Sequence, residues 1–323
     1  MKSSPRFLVL AGLFLSLAAS GFAQHVIKTV NVGSGPNGIA VNTNTNVIYV
    51  SNSSTNTVSV IEGNSYTVTA TVTVGNGPGP IAVYAPANLI FVYNTVDKTM
   101  SQIDGYTNKV NFTEALPFGC TAMVILGQSK YLYMSDTAAN AVHVVDVTKL
   151  KKITDVSVPS PTSITANVKG KEVYVTSAST AIDVINTNTN SVIAAYYPPS
   201  NSDFSSISVD ATDNLLFAAT YASSSPTSCT VEVLNATTGA LLGTSPAIGA
   251  VNQLYAMSGS KEVIASGGAG KTPDTITLVS GTTYKVKDTV TVGSNPTAIG
   301  YYPKTLIIYV TNQAGTTVSV VGS

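Results

Sequence analysis

Three groups of residues have types and spacings that could do chemistry. The stretch ASGGAGKT, Ala265 to Thr272, fits a permissive phosphate-loop pattern, with Gly270, Lys271 and Thr272 where phosphate and magnesium would be held. The histidines are His25 and His143. The third group is a set of aspartates, Asp136, Asp146, Asp203, Asp210 and Asp213, whose oxygens could ligate calcium.

The elements that must carry these residues decide among them. A phosphate loop needs a helix beginning at its Lys and Thr, so that backbone N–H groups and the helix dipole face the phosphates. Here Pro273 follows at once, and TITLVSG then reads as a strand. The match is a coincidence of a Gly-rich turn, and nucleotide binding is not expected. His143 sits between Val142 and Val144 in a strand pattern, the setting of a packed or hydrogen-bonded imidazole. No aspartate follows the EF-hand spacing, and Asp at turns usually caps local backbone. No cofactor is expected, with a structural calcium as the lesser option. The only arginine is Arg6 and there is no tryptophan, so guanidinium recognition of phosphate and stacking on bases are both missing, and nucleic-acid binding is not expected.

The organisation of the chain is plain in its repeats. VIYVSN, LIFVYN, YLYMSD, EVYVTS, LLFAAT, EVIASG and IIYVTN centre on Tyr49, Phe91, Tyr133, Tyr174, Phe217, Ile264 and Tyr309, spaced 41 to 47 residues apart. An apolar residue stands ten positions before each, from Ile39 through Ile81, Met123, Ile164, Ile207 and Leu254 to Ile299. Each repeat breaks into four short β-branched runs separated by Asn, Gly and Pro, with no helical period. Consecutive apolar residues within the runs predict sheets covered on both faces. Seven such units predict an all-β, seven-bladed β-propeller of four-stranded antiparallel blades. The last repeat stops after its third strand, and VIKTVNV at 26–32 stands alone before the first repeat. The N-terminal strand is therefore expected to complete the last blade, which removes an open edge.

Tyr309-Val310-Thr311-Asn312, the VGSGP and VGSNP lead-ins at 32–36 and 292–296, and NTVSVI at 56–61 resemble the YVTN-repeat (YncE-like) family of seven-bladed propellers. The resemblance spans the chain after the first residues; it is sharp in blades 1, 2 and 7 and loose in blades 5 and 6. It implies an exported or cell-surface propeller and implies no reaction.

Lys2 and Arg6, the apolar run Phe7 to Ala19 and Gly21-Phe22-Ala23 before Gln24 read as a cleaved signal peptide over 1–23, with a single propeller domain over 24–323. Thirteen apolar residues are too few to span a bilayer. Cleavage leaves 14 basic against 16 acidic residues, a net charge of about −2. The expected location is the periplasm, the medium or the surface of a bacterium, with no membrane insertion after cleavage. A closed ring has no strand edge that demands a partner, so a monomer is expected. Cys120 and Cys229 fall two blades apart, which disfavours a disulfide because bridged Cα atoms lie within about 7 Å.

The residues two before the inner-strand anchors, Asn37, Gly79, Thr121, Thr162, Ser205, Asn252 and Thr297, are small or neutral, so no ionisable cluster converges on the funnel. The leading reading is a non-catalytic binding module for a protein or glycan, using the lengthened second-to-third turns of blades 5 and 6 with Tyr221, Ser224, Pro226, Lys271 and Asp274. The alternatives are an enzyme or cofactor carrier acting through the funnel, lactonase-like or metal-dependent, and a structural surface-layer component.

Overall fold

The computed structural model describes residues 23–127, 129–177, 181–197, 202–222, 225, 227–267 and 274–323. These form seven four-stranded antiparallel sheets, and the one helical element among them is a 3-10 turn at Ala85–Ala87. Blade 1 is built from Pro36–Asn42, Val47–Asn52, Thr57–Glu62 and Thr67–Thr73, hydrogen-bonded in that order, and blades 2 to 6 repeat the plan. The first strand of blade 1 lies against those of blades 2 and 7, which closes the ring.

Blade 7 takes its fourth strand from the other end of the chain. His25–Asn31 pairs antiparallel with Thr317–Gly322, in a register running from His25 opposite Gly322 to Asn31 opposite Thr317. The Val32 amide then donates to the Thr316 carbonyl at 2.8 Å, continuing the ladder into the crossing to blade 1. The expected N-terminal completion of the last blade is thus what the fold contains.

The abundance of asparagine has a local cause. Tight turns end on a left-handed residue, and Asn46, Asn56, Asn88, Asn108, Asn140, Asn190 and Asn214 take that role with φ near +55°. Asn tolerates this region better than other non-glycine residues because its short side chain can bond the local backbone.

The core lies between blades rather than within them. Val30, Ile48, Tyr309 and Val318 pack the seam of blades 7 and 1, and Tyr49, Val58, Ile81 and Ile90 that of blades 1 and 2. The repeating aromatic points towards the next blade. Tyr133 donates to Asn190 Oδ1 at 2.7 Å and Tyr174 to the Ala236 carbonyl at 2.9 Å, whereas the Tyr49 hydroxyl is buried with no partner among the described residues. Burial pushes the phenols of Tyr49 and Tyr133 up to about 12, so both remain protonated donors through the neutral range.

Part of the inner edge is capped by hydroxyls. Ser163 and Thr165 of blade 4 accept from the amides of Ile207 and Val209, and Ser206 and Ser208 of blade 5 accept from those of Leu254 and Ala256, at 2.8–3.3 Å. Such caps satisfy strand-edge donors that a sheet would otherwise offer to another chain.

Candidate functional site

Strand direction places every second-to-third turn and every blade-to-blade crossing on one face of the ring. The longer connection of blade 5 opens onto this face, but less of it is turn than expected. Tyr221 and Cys229 are strand residues paired with each other, because the second strand runs Leu215–Ala222 and the third starts at Cys229. Alternation simply continues past Thr220 opposite Thr230, so the insertion lengthens the hairpin before it turns. Tyr221 is half-buried against the seam of blades 5 and 6, where burial and then Asp203 push its phenol up. Asp274 is half-buried just before the third strand of blade 6, Thr275–Ser280, and its carbonyl accepts from the Val292 amide at 2.9 Å. Ser224, Pro226 and Lys271 lie outside the described residues, as do Gly268 to Pro273 of the phosphate-loop-like stretch.

The same face carries a polar slot that recurs in every blade. In blade 1, Asn52 ends the second strand and its Nδ2 donates to Thr57 Oγ1 at 3.1 Å and to Ser59 Oγ at 3.0 Å. Asn94 repeats this with Thr99 and Ser101, and Asn312 with Thr317 and Ser319, at 2.9–3.0 Å. The crossing strand passes directly over the Asn, and a Cβ on Gly33 would lie 2.7 Å from the Asn52 side chain. Gly75 and Gly293 meet the same obstacle at Asn94 and Asn312. These contacts explain why the motif is sharp in blades 1, 2 and 7: its terminal Asn, the Ser seven residues on and the lead-in Gly form one physical unit.

At the seam of blades 7 and 1 this unit borders an open groove of about 340 Å³, lined by Asn31, Val32, Gly33, Thr55, Thr57, Ser59, Val68 and Thr71. Its lining is neutral, rich in hydroxyls, with Val68 as an apolar patch. Sequence reasoning centred on blades 5 and 6 missed this groove, although the Asn followed seven residues later by Ser in blades 1, 2 and 7 was a legible signal.

In blade 3 the slot holds ionisable groups. Asp136 replaces Asn, His143 replaces Ser, and Asp155 stands opposite His143 on the fourth strand. His143 is buried, with Nδ1 2.6 Å from Asp155 Oδ1 and Nε2 3.2 Å from Asp136 Oδ2. The Phe118 ring covers it at 4.1 Å between centroids, and Lys152 pairs with Asp155 at 2.7 Å while lying over Phe118. Burial opposes the charge on Asp136, but the amides of Ala139 and Gly119, joined by His143, outweigh it and hold the carboxyl below its usual range. Asp155 is lowered in the same sense, with burial outweighed by Lys152 and His143. A base needs a free nitrogen facing a substrate, and both nitrogens of this imidazole are engaged within the blade.

Blades 4 and 5 put bare carboxyls in the slot. Asp183 and Glu232 occupy the position of Ser59, and burial raises both above the usual range, eased by Ser177 and Thr220 respectively. Glu232 is 3% exposed, with Oε1 3.4 Å from Thr220 Oγ1 and Oε2 without a partner among the described residues.

Asp146 and Asp210 serve the backbone, and Asp213 pairs with Lys261 at 3.8 Å. Asp146 accepts from the Thr148 amide and hydroxyl and pairs with Lys130, and Asp210 accepts from the amides of Thr212, Asp213 and Gly259. No group of three or more His, Cys, Asp or Glu among the described residues is placed to hold a metal ion. Cys120 and Cys229 are free thiols. Among the described residues no helix is long and apolar enough to cross a membrane.

No protein-family model matches the chain, and no curated protein matches it. Solved structures do. A chain of Kuenenia stuttgartiensis hydrazine synthase superposes with a TM-score of 0.77 at 15% identity, covering 90% of this chain and 96% of that one. At that identity the likeness is one of fold.

Proposed function

We propose that this propeller is an exported, non-catalytic binding module whose ligand is a neutral, hydroxyl-rich surface such as a glycan. The observation that carries this reading is the uncharged groove at the seam of blades 7 and 1, with Ser59, Thr57 and Thr71 on one wall and Asn31 on the other. Hydroxyls and amides that both donate and accept suit sugar hydroxyls. An ionic ligand would lose hydration there with no counter-charge to replace it. The same Asn, Ser and Gly unit at the seams of blades 1 and 2 and of blades 6 and 7 offers neighbouring sites, so weak single contacts would add through multivalency. The resemblance to the YVTN-repeat family and the leader-like residues 1–23 support export with cleavage ahead of Gln24.

The test is binding of neutral oligosaccharides to the purified chain, with Thr71→Val to remove one hydroxyl and Thr71→Lys to obstruct the groove. Thr71 is exposed, so both variants should fold. Saccharide binding that weakens in T71V and vanishes in T71K supports the reading. Binding indifferent to both variants, or capture of a protein in place of any saccharide, overturns it.

A further inference from the structure

The nitrogen of Gln24 donates to Asp288 Oδ2 at 2.8 Å. This bond joins the start of the N-terminal strand, in blade 7, to the fourth strand of blade 6, Val286–Thr291. His25 is already in register opposite Gly322, so the ladder fixes the position of the residue before it. Both Gln24 and Asp288 are half-buried, and the side-chain oxygen of Gln24 is buried with no partner among the described residues. Asp288 Oδ1 accepts only from the neighbouring Thr289 amide at 2.8 Å, and among the described residues no lysine or histidine forms an ion pair with Asp288.

In the uncut chain the Gln24 donor is a peptide N–H. Cleavage ahead of Gln24, the processing on which the export reading rests, turns the same nitrogen into an ammonium. We propose that Asp288 is the receptor for this new α-ammonium, and that the pairing both locks the ring closure after processing and protects the N-terminal glutamine from closing to pyroglutamate. In that cyclisation the α-nitrogen lone pair attacks the side-chain Cδ. An N–Cδ bond forms, the Cδ–Nε2 bond breaks, a proton passes from the attacking to the departing nitrogen, and ammonia leaves. The attack needs the unprotonated amine. An α-amino group titrates near 7.7–8.0 in isolation, and a carboxylate at hydrogen-bond distance favours its charged, non-nucleophilic form. The buried side-chain oxygen further restrains the Cδ group from turning onto its own nitrogen.

The experiment uses the full-length chain, expressed with its leader and purified as the processed protein, with Asp288→Asn and Asp288→Ala alongside. Intact mass and N-terminal sequencing are followed during incubation at neutral pH, together with the thermal transition of each protein. The expected result is a wild-type chain that begins at uncyclised Gln24, and variants that lose one ammonia several-fold faster and melt at lower temperature. Equal cyclisation rates, or a wild-type chain isolated as the lactam, overturn the protective role while leaving the export reading intact. A chain that begins elsewhere overturns the processing reading and the ammonium receptor together, and leaves the groove reading to its own saccharide test.

Discussion

The slot on the turn-bearing face is filled in two ways, and the difference separates scaffold from specialisation. In blades 7, 1 and 2 it is Asn with Ser, neutral, with the Asn amide nitrogen bonded at 2.9–3.1 Å within one hairpin. In blades 3, 4 and 5 it holds His143, Asp183 and Glu232. Only blade 3 supplies enough partners: its carboxyls are held low, while Asp183 and Glu232 are held high by burial. Carboxyls in and around the same slot are therefore shifted in opposite directions along the ring. A recurring fold position fixes where a side chain goes, and its neighbours on the adjoining strands decide what charge it can carry.

The largest effect should come from breaking the blade 3 cluster. Asp136→Ala leaves the amides of Gly119, Ala138 and Ala139 and the His143 Nε2 without their acceptor. At roughly 1–3 kcal/mol for leaving a buried group unsatisfied, a loss of about 3 kcal/mol is expected in denaturant titration, against about 1 kcal/mol for Ser59→Ala in blade 1. Equal losses would dissolve the comparison.

The next effect is a pH dependence of opposite sign. The lowered Asp136 contributes stability that is present above its unfolded value near 3.9 and lost as pH falls through its folded value. Glu232 is raised, so its burial costs nothing at low pH and costs progressively more as pH climbs from the unfolded value, near 4.3, through the folded one. Glu232→Gln is thus expected to stabilise by about 1 kcal/mol at neutral pH and to lose that gain towards pH 4, while Asp136→Asn destabilises at neutral pH with a deficit that shrinks in acid. Thermal melts across that range check both slopes, and parallel slopes would contradict the assigned environments.

The smallest effect sharpens the contrast within the aromatic ring. Tyr133→Phe should cost about 1 kcal/mol because the bond to Asn190 is lost, and Tyr49→Phe should be neutral or slightly stabilising because the hydroxyl it removes has no partner among the described residues. A cost at Tyr49 equal to that at Tyr133 would show that the two environments are alike in solution.

Much of this architecture was legible in the sequence. The aromatic period and the apolar residue ten positions earlier carry the blade count, because each is a local pattern repeated seven times, and the single orphan strand at 26–32 carries the closure. The site was less legible. His143 reads correctly as a hydrogen-bonded strand residue, but Asp155, Lys152 and Phe118 come together on it only through register and the seam of blades 2 and 3. The blade 5 insertion read as loop because Tyr221 and Cys229 flank a Ser-rich run, although cross-strand pairing carries both into the sheet. Spacing reveals elements. It does not reveal how far a ladder runs before it turns.

The N-terminal strand has a further consequence in time. Thr317–Gly322 pairs with His25–Asn31, so ring closure has the longest sequence separation of any strand pairing among the described residues. Contacts of high sequence separation form late because the loop-closure entropy must be met before the contacts return it. The nascent chain can assemble hairpins and whole blades, but it cannot become a ring until Thr317–Gly322 is available to pair. Until then the molecule is an open arc, and the pairing of His25–Asn31 with Thr317–Gly322 is the step that closes it.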